Sequence, residues 1–498
     1  MVLNVVVTDK KGNPVTNLSK ADFTVLENEQ RQIIDTFEGP AAIPTGNEDA
    51  AEDAGGANAK PRIVRAGQAR TIIVLDELNT VSEDLMFATV KVQKYLAAQP
   101  EILKQPTSIY LLTKRKLELF AAPTQDRNAL LAMLKKNFIE LPPHYLESGG
   151  VQGGADRLLA SLIALDEIAL ANAVQKARKN VIWIGNGIPI LSNTYVSGRD
   201  SEKFKNWVHY TANWLEETQT TVYTLDPRGV EVAQEAVTTG GLLVAGGLPA
   251  AAIVGPNFTS SELVFEAIAP ESGGTIIRRR NDLDVAIANA VDDGSSYYTL
   301  SYYPSDRNWD GKFRKIRVAI AGSDLVARTQ QGYYAYAEGF QGTDEQIDWS
   351  LSRAVTSPVA FQSIAFTASG ARVAAPARTK SRSATQSAKL VLSVDRGSLS
   401  WTGQPNGDQR SEVTVVTSEL NSAGRVLGYH VREVEVVVEK AKWAGLAAKD
   451  PVQLYVNADL PVKTDHLRVV IRDASTGQLG TFDLPVGALV AANSTPAH

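Results

Sequence analysis

Residues 71–80 read TIIVLDELNT, and the reading of this stretch decides the fold assigned to the chain. Four consecutive apolar residues, Ile72, Ile73, Val74 and Leu75, follow a basic, glycine-containing segment and precede acidic and polar residues. A run of this kind describes a strand buried on both faces, as in a parallel sheet. In open α/β sheets ligands sit outside the carboxyl ends of the strands, which makes Asp76, Asn79 and Thr80 the first polar groups to consider.

Working outward, residues 71 to about 335 alternate strand and helix patterns. Strands are expected at 71–75, 107–112, 117–121, 180–184, 220–225, 274–277, 297–303 and 314–320. Helices are expected at 82–98, 126–136, 155–177, 201–219, 260–272 and 283–292. Ser82 ahead of Glu83 and Asp84, and Asp126 ahead of Leu130, Leu131 and Leu134, supply helix start signals. The alternation predicts an α/β domain over 70–337: a Rossmann-like, doubly wound, mostly parallel sheet with helices on both faces. The last two strands lack a helix between them and are expected as an antiparallel edge hairpin on that sheet.

Residues 1–38 carry short alternating runs closed by turns at 10–14 and 27–29, an N-terminal β appendage too small to stand alone and expected to dock on another domain. The Ala-, Gly-, Asp- and Glu-rich 39–69 reads as a linker. A connecting segment, 338–388, leads into alternating runs over 389–498 that describe a C-terminal β-sandwich.

A chain of 498 residues exceeds a single core and should divide into two to four domains. Hydrophobic and charged shares of 44% and 21% sit near globular averages, which points away from wholesale disorder. A net charge of -5, with no basic cluster longer than Arg278–Arg280, argues against nucleic acid. The absence of cysteine removes disulfides, thiolate metal sites and cysteine nucleophiles together. No run approaches the roughly 18 apolar residues that cross a bilayer. The chain opens almost directly in a strand, which reads as a mature start after removal of an export signal.

Local chemistry is sparse. His144, His209, His430, His466 and His498 fall in separate segments without metal spacing, and there is no G-x-S-x-G elbow. The glycine-rich 149–154 lacks the Walker spacing and its lysine, and Gly185-Asn186-Gly187 lacks the third glycine of a dinucleotide fingerprint, so both read as tight strand-to-helix turns. Asp226-Pro227-Arg228-Gly229 reads as a structured turn at the same sheet edge as Asp76. Tyr298 and Tyr302 share a face by alternation and, with Tyr297, Tyr303, Tyr333, Tyr334 and Tyr336, suit a packed sheet edge or an interface.

Three segments taken together, Asp76-Glu77-Leu78-Asn79-Thr80, the 149–154 loop and Val181-Ile182-Trp183-Ile184-Gly185-Asn186-Gly187, resemble a von Willebrand factor type A domain. The flanking VVVTDKKGNPVTNLSKADFTVLENEQRQIIDTF, TVYTLDPRG and SYYTLSYYPSDRNWDGKFRKIRVAI resemble the secreted von Willebrand A-related proteins of acidobacteria, over about residues 2–336. In metal-binding members an Asp-x-Ser-x-Ser motif, a Thr and a further Asp hold a divalent ion, usually Mg²⁺, that a partner's carboxylate completes. Here Asp76 and Thr80 match, whereas Leu78 replaces a Ser, Val151 or Gln152 stands where Thr is wanted, and Asn186 replaces Asp. The resemblance therefore implies a degenerate metal site without a resident cofactor. It also implies a non-catalytic, extracytoplasmic protein-binding or adhesion module, secreted, periplasmic or envelope-associated, with an unknown protein ligand. The rim expected to meet that ligand is Asp76, Glu77, Asn79, Thr80, Gly150, Gln152, Asn186 and Asp226. Alternative readings are an Mg²⁺-dependent adhesion protein using Asp76 and Thr80, an unrecognised hydrolase, and a structural envelope component.

Overall fold

The computed structural model describes residues 1–40, 69–114, 116–138, 150–173, 177–185, 191–192, 198–228, 262–263, 268–278, 280–322, 324–336, 344–357, 359–373, 386–447 and 450–491. The chain divides into two compact units, one of residues 1–166 and 175–336, the other of 167–174 and 337–498.

In the first unit, the strand Arg70–Asp76 is buried from its second residue to its last. It lies inside a six-stranded sheet whose order is Ile276–Ile277, Thr220–Leu225, Lys179–Ile184, Arg70–Asp76, Ile102–Leu112 and Leu117–Asp126. Ile73 and Leu75 point to one face, where they meet Leu85, Ala88, Val92, Leu130, Leu134, Ile182, Ile184, Leu283 and Ile287. The helices Ser82–Ala97 and Leu283–Asp293 present stripes at helical spacing to this core: Leu85, Ala88, Val92 and Tyr95–Leu96 in the first, Leu283, Ala286–Ile287 and Ala290–Val291 in the second. By alternation Ile72, Val74 and Asp76 face the other way. Val74 stands in register with Trp183 on the neighbouring strand, so the Trp183 side chain shares that face.

The expected Rossmann-like, doubly wound, mostly parallel sheet is corrected by the structure. Among the described residues the protein is mostly β, with 44% in strands against 27% in helices, so strand pairing dominates the architecture. Most ladders are antiparallel, and the six-stranded sheet is mixed because Leu117–Asp126 runs antiparallel to its neighbour. The expected edge hairpin is also absent from that sheet. Tyr298–Tyr302 pairs instead with Val2–Asp9 and Ile34–Glu38, and Phe313–Ile320 pairs with Phe23–Glu27 and Gly332–Tyr334. The N-terminal strands are thus threaded into two four-stranded sheets with strands almost 300 positions later, Val2 opposite Ser301. Leu3, Val5, Val7, Phe23, Val25, Tyr298, Leu300, Tyr302 and Ile316 form their common core. A period-two pattern states which residues are buried and says nothing about which distant strand buries them.

The second unit holds a β-sandwich. One sheet runs Pro451–Leu460, Gln386–Asp395, Phe366–Val373, Val490–Ala491, the last pairing parallel. The other runs Thr402–Gly403, Gln409–Leu420, His466–Asp473, Leu479–Pro485, with Val426–Val438 along Gln409–Leu420. Leu390, Leu392, Val413, Val415, Leu454, Val456, Val469 and Ile471 fill the space between them. Among the described residues no helix is long and apolar enough to cross a membrane.

Candidate functional site

Asp76 ends its strand fully buried, at 0% exposure. Asn79, three residues on, turns back over it: its backbone N–H donates to Asp76 Oδ1 at 3.0 Å, and its side-chain Nδ2 donates to Oδ1 at 3.1 Å and Oδ2 at 2.9 Å. From the neighbouring strand the Trp183 indole Nε1–H donates to Asp76 Oδ2 at 2.9 Å. The Asn79 amide also reaches Ser161 Oγ at 3.1 Å, tying the loop to the helix Gly150–Ala171. Burial pushes the Asp76 carboxyl up to about 6, while the Asn79 and Trp183 donors and the Arg157 charge pull it back. The carboxylate is therefore held by neutral N–H groups in place of bulk water.

Gly185 is required by this packing. A Cβ there would lie 2.8 Å from Asp76 Cβ and 3.0 Å from Thr80 Oγ1. The Gly185 N–H donates to Leu225 O at 3.0 Å, so the ends of three adjacent strands converge, bearing Asp76, Gly185 and Asp226. Asp226 is 7% exposed and occupied by its own turn: Arg228 N and Nε donate to Oδ1, each at 2.9 Å, and Arg228 Nη2 to Oδ2 at 2.6 Å.

The structure thus gathers Asp76, Asn79 and Thr80 in one buried loop, with Glu77 half-buried beside them and Asp226 two strands away. Gly150 and Gln152 fall in the first turn of the helix Gly150–Ala171. Asn186 lies outside the described residues. Of the tyrosines, Tyr298, Tyr302, Tyr333 and Tyr334 are core, while Tyr303 is exposed.

The donor set does not fit a divalent cation at Asp76. A hard cation needs several free oxygens with one coordination position open. Both Asp76 oxygens already accept from N–H groups that a cation would have to displace. Leu78, at the first Ser position of the motif, is buried and carries no oxygen. Among the described residues, no group of three or more His, Asp or Glu side chains gathers for a metal. Sequence reasoning missed Trp183, although the buried VIWI run in register with the first strand was the available signal.

No protein-family model and no curated protein matches the chain. Among solved structures it is similar to proximal thread matrix protein 1 from the mussel byssus, at 11% identity over 46% of this chain and 49% of that one, with a TM-score of 0.27. It is similar to the human COPII-coat protein Sec24c at 9% identity over 58% and 47%, with a TM-score of 0.25. The TFIIH p34 N-terminal domain aligns at 14% identity over 32% of this chain and 79% of that one, with a TM-score of 0.18. The chain spans about half the length of the first two, and scores this low carry no argument about what it does.

Proposed function

We propose that this chain is a non-catalytic protein-binding module of the von Willebrand A-related kind, acting outside the cytoplasm, and that its binding surface is a strand edge in the C-terminal sandwich. One observation carries the choice of surface. Along Val426–Val438 the alternate residues Leu427, Tyr429, Val431 and Val437 are exposed at 38%, 64%, 50% and 52%, with exposed Glu433 and Glu435 between them. Among the described residues this strand pairs on one side only, with Gln409–Leu420.

A long edge strand with unpaired backbone groups and an apolar outer face is a template for a further strand, and proteins normally blunt such edges. The occupant that suits it is an extended segment of another protein, apolar at alternate positions and basic opposite Glu433, bound by strand addition. Tyr429 supplies amphipathic contact area of the type favoured at interfaces. The extracytoplasmic placement rests on the sequence resemblance. The buried, donor-saturated Asp76 supports a metal-independent reading over Mg²⁺-dependent adhesion.

The test compares wild type with the Tyr429→Asp/Val431→Asp variant as bait for envelope extract of the source organism. A partner retained by wild type and lost from the folded variant supports the reading. An identical captured set from both baits sinks it.

A further inference from the structure

Away from Asp76, the first unit contains a pocket lined by Asn4, Glu216, Glu271, Phe313, Gln330 and Tyr334 among others. Glu216 comes from the last turn of the helix Gly198–Glu217, and Glu271 closes the short helix Ile268–Glu271. Phe313 and Tyr334 form an aromatic wall, their rings 5.1 Å apart at 60°. Tyr334 is fixed by stacking on His209 at 3.7 Å and by backbone bonds with Asn213 at 3.2 and 3.3 Å. Gly332 keeps this wall tight, since a Cβ there would stand 2.4 Å from Phe313 Cζ.

The polar side of the pocket is unbalanced. Burial pushes the Glu216 carboxyl up to about 7 and the Glu271 carboxyl up to about 7. Glu271 Oε2 is sealed from solvent and has no hydrogen-bond partner among the described residues. Among the described residues no Lys, Arg or His lines the pocket. The Met1 ammonium, whose charge reaches Glu216, is itself engaged by Tyr302 O at 2.9 Å. The Gln330 amide bonds Glu216, so the oxygen left without a donor is Glu271 Oε2, and a buried carboxylate oxygen without a donor is costly.

The open interior takes only one or two water-sized groups, which sets the size of that donor. A divalent metal would want about six oxygen ligands, more anionic than the amides that complete this lining. Two carboxylates beside an aromatic pair suit an organic cation, held by charge and sheltered by the rings. We infer that this pocket binds a single primary ammonium group between Glu216 and Glu271 and against Tyr334. The group belongs to a free small amine or to a lysine side chain. The inference is independent of the edge-strand reading above.

The probe is methylammonium chloride, observed by saturation-transfer NMR on the full chain at constant ionic strength and about pH 8, above both carboxyl values. A ligand of two heavy atoms binds no tighter than roughly 5 mM, so the titration extends to about 100 mM. Wild type should transfer saturation to the methyl protons. Glu271→Gln and Glu216→Gln, each checked for folding by circular dichroism, should reduce the transfer roughly fivefold, the loss of one of two charged contacts. Exposed Glu101→Gln should leave it unchanged. Equal competition by Nα-acetyl-lysine methylamide assigns the site to a lysine side chain, and its failure to compete assigns the site to free amines. No transfer in wild type, unchanged transfer in either folded pocket variant, or displacement by MgCl₂ at matched ionic strength overturns the inference.

Discussion

Trp183→Phe isolates what the indole donor does for Asp76. The bond is 2.9 Å long and ends on a carboxylate with 0% exposure. A hydrogen bond to a buried charge contributes about 1.5–3 kcal/mol. The carboxyl is raised from 3.8 to about 6, chiefly by burial. Its folded state therefore binds a proton that the unfolded chain has released, and stability falls as pH rises from about 4 to about 6, by about 3 kcal/mol in total. That loss then persists at higher pH. Deleting one donor to the charged form raises the folded value further and lengthens the window upward. At about pH 5 the folded carboxyl is protonated in both proteins, and the variant shows mainly the packing cost of a smaller ring, about 1–2 kcal/mol. At about pH 8 the same packing cost is joined by the lost bond, so the variant's destabilisation grows by about 1.5–3 kcal/mol between the two conditions. Hydrogen exchange in peptides covering Lys179–Ile184, taken through graded urea, reads the opening free energy of this unit separately from the sandwich. A destabilisation equal at the two pH values, within about 0.5 kcal/mol, would refute the account of how Asp76 is stabilised.

Two further outcomes follow from the same loop. Calorimetric titration with MgCl₂ or MnCl₂ should give heats indistinguishable between wild type and Asp76→Ala, because the Asp76 oxygens are already taken by Asn79 and Trp183; a saturable heat lost in the variant would restore a metal to the mechanism. Gly185→Ala places a methyl 2.8 Å from Asp76 Cβ and should cost about 1–3 kcal/mol in urea denaturation, whereas a neutral result would mean that the three strand ends are looser than described.

Much of the local structure was legible in the sequence, while most of the pairing was not. The apolar run at 72–75 is a buried strand, and the stripes beginning at Leu85 and Leu283 are helices packed on it. Asp126 caps as its position suggested, accepting from Asn128 N at 2.8 Å and Ala129 N at 3.0 Å. What failed was the assignment of 297–303 and 314–320 to the same sheet as 71–75. Their patterns are satisfied equally well by the N-terminal strands, and the contact that decides between the two, Val5 opposite Tyr298, spans most of the unit. Likewise Glu216 and Glu271 lie on different elements with no shared spacing, so a pocket built from them leaves no mark in one sequence.

The Asp76 loop shows how a buried carboxylate is held by neutral donors. An ionised group taken out of water needs compensation from opposite charge or from hydrogen bonds. Here the residue after Leu78 is an amide whose N–H groups span both oxygens, and the adjoining strand supplies an indole N–H to Oδ2. Each donor is neutral, so the shift caused by burial is reduced without being cancelled, and the carboxyl settles at about 6. The raised value, the absence of a side chain at Gly185 and the apolar Leu78 are thus parts of one arrangement. The strand end closes on itself through the hydrogen bonds from Asn79 and Trp183.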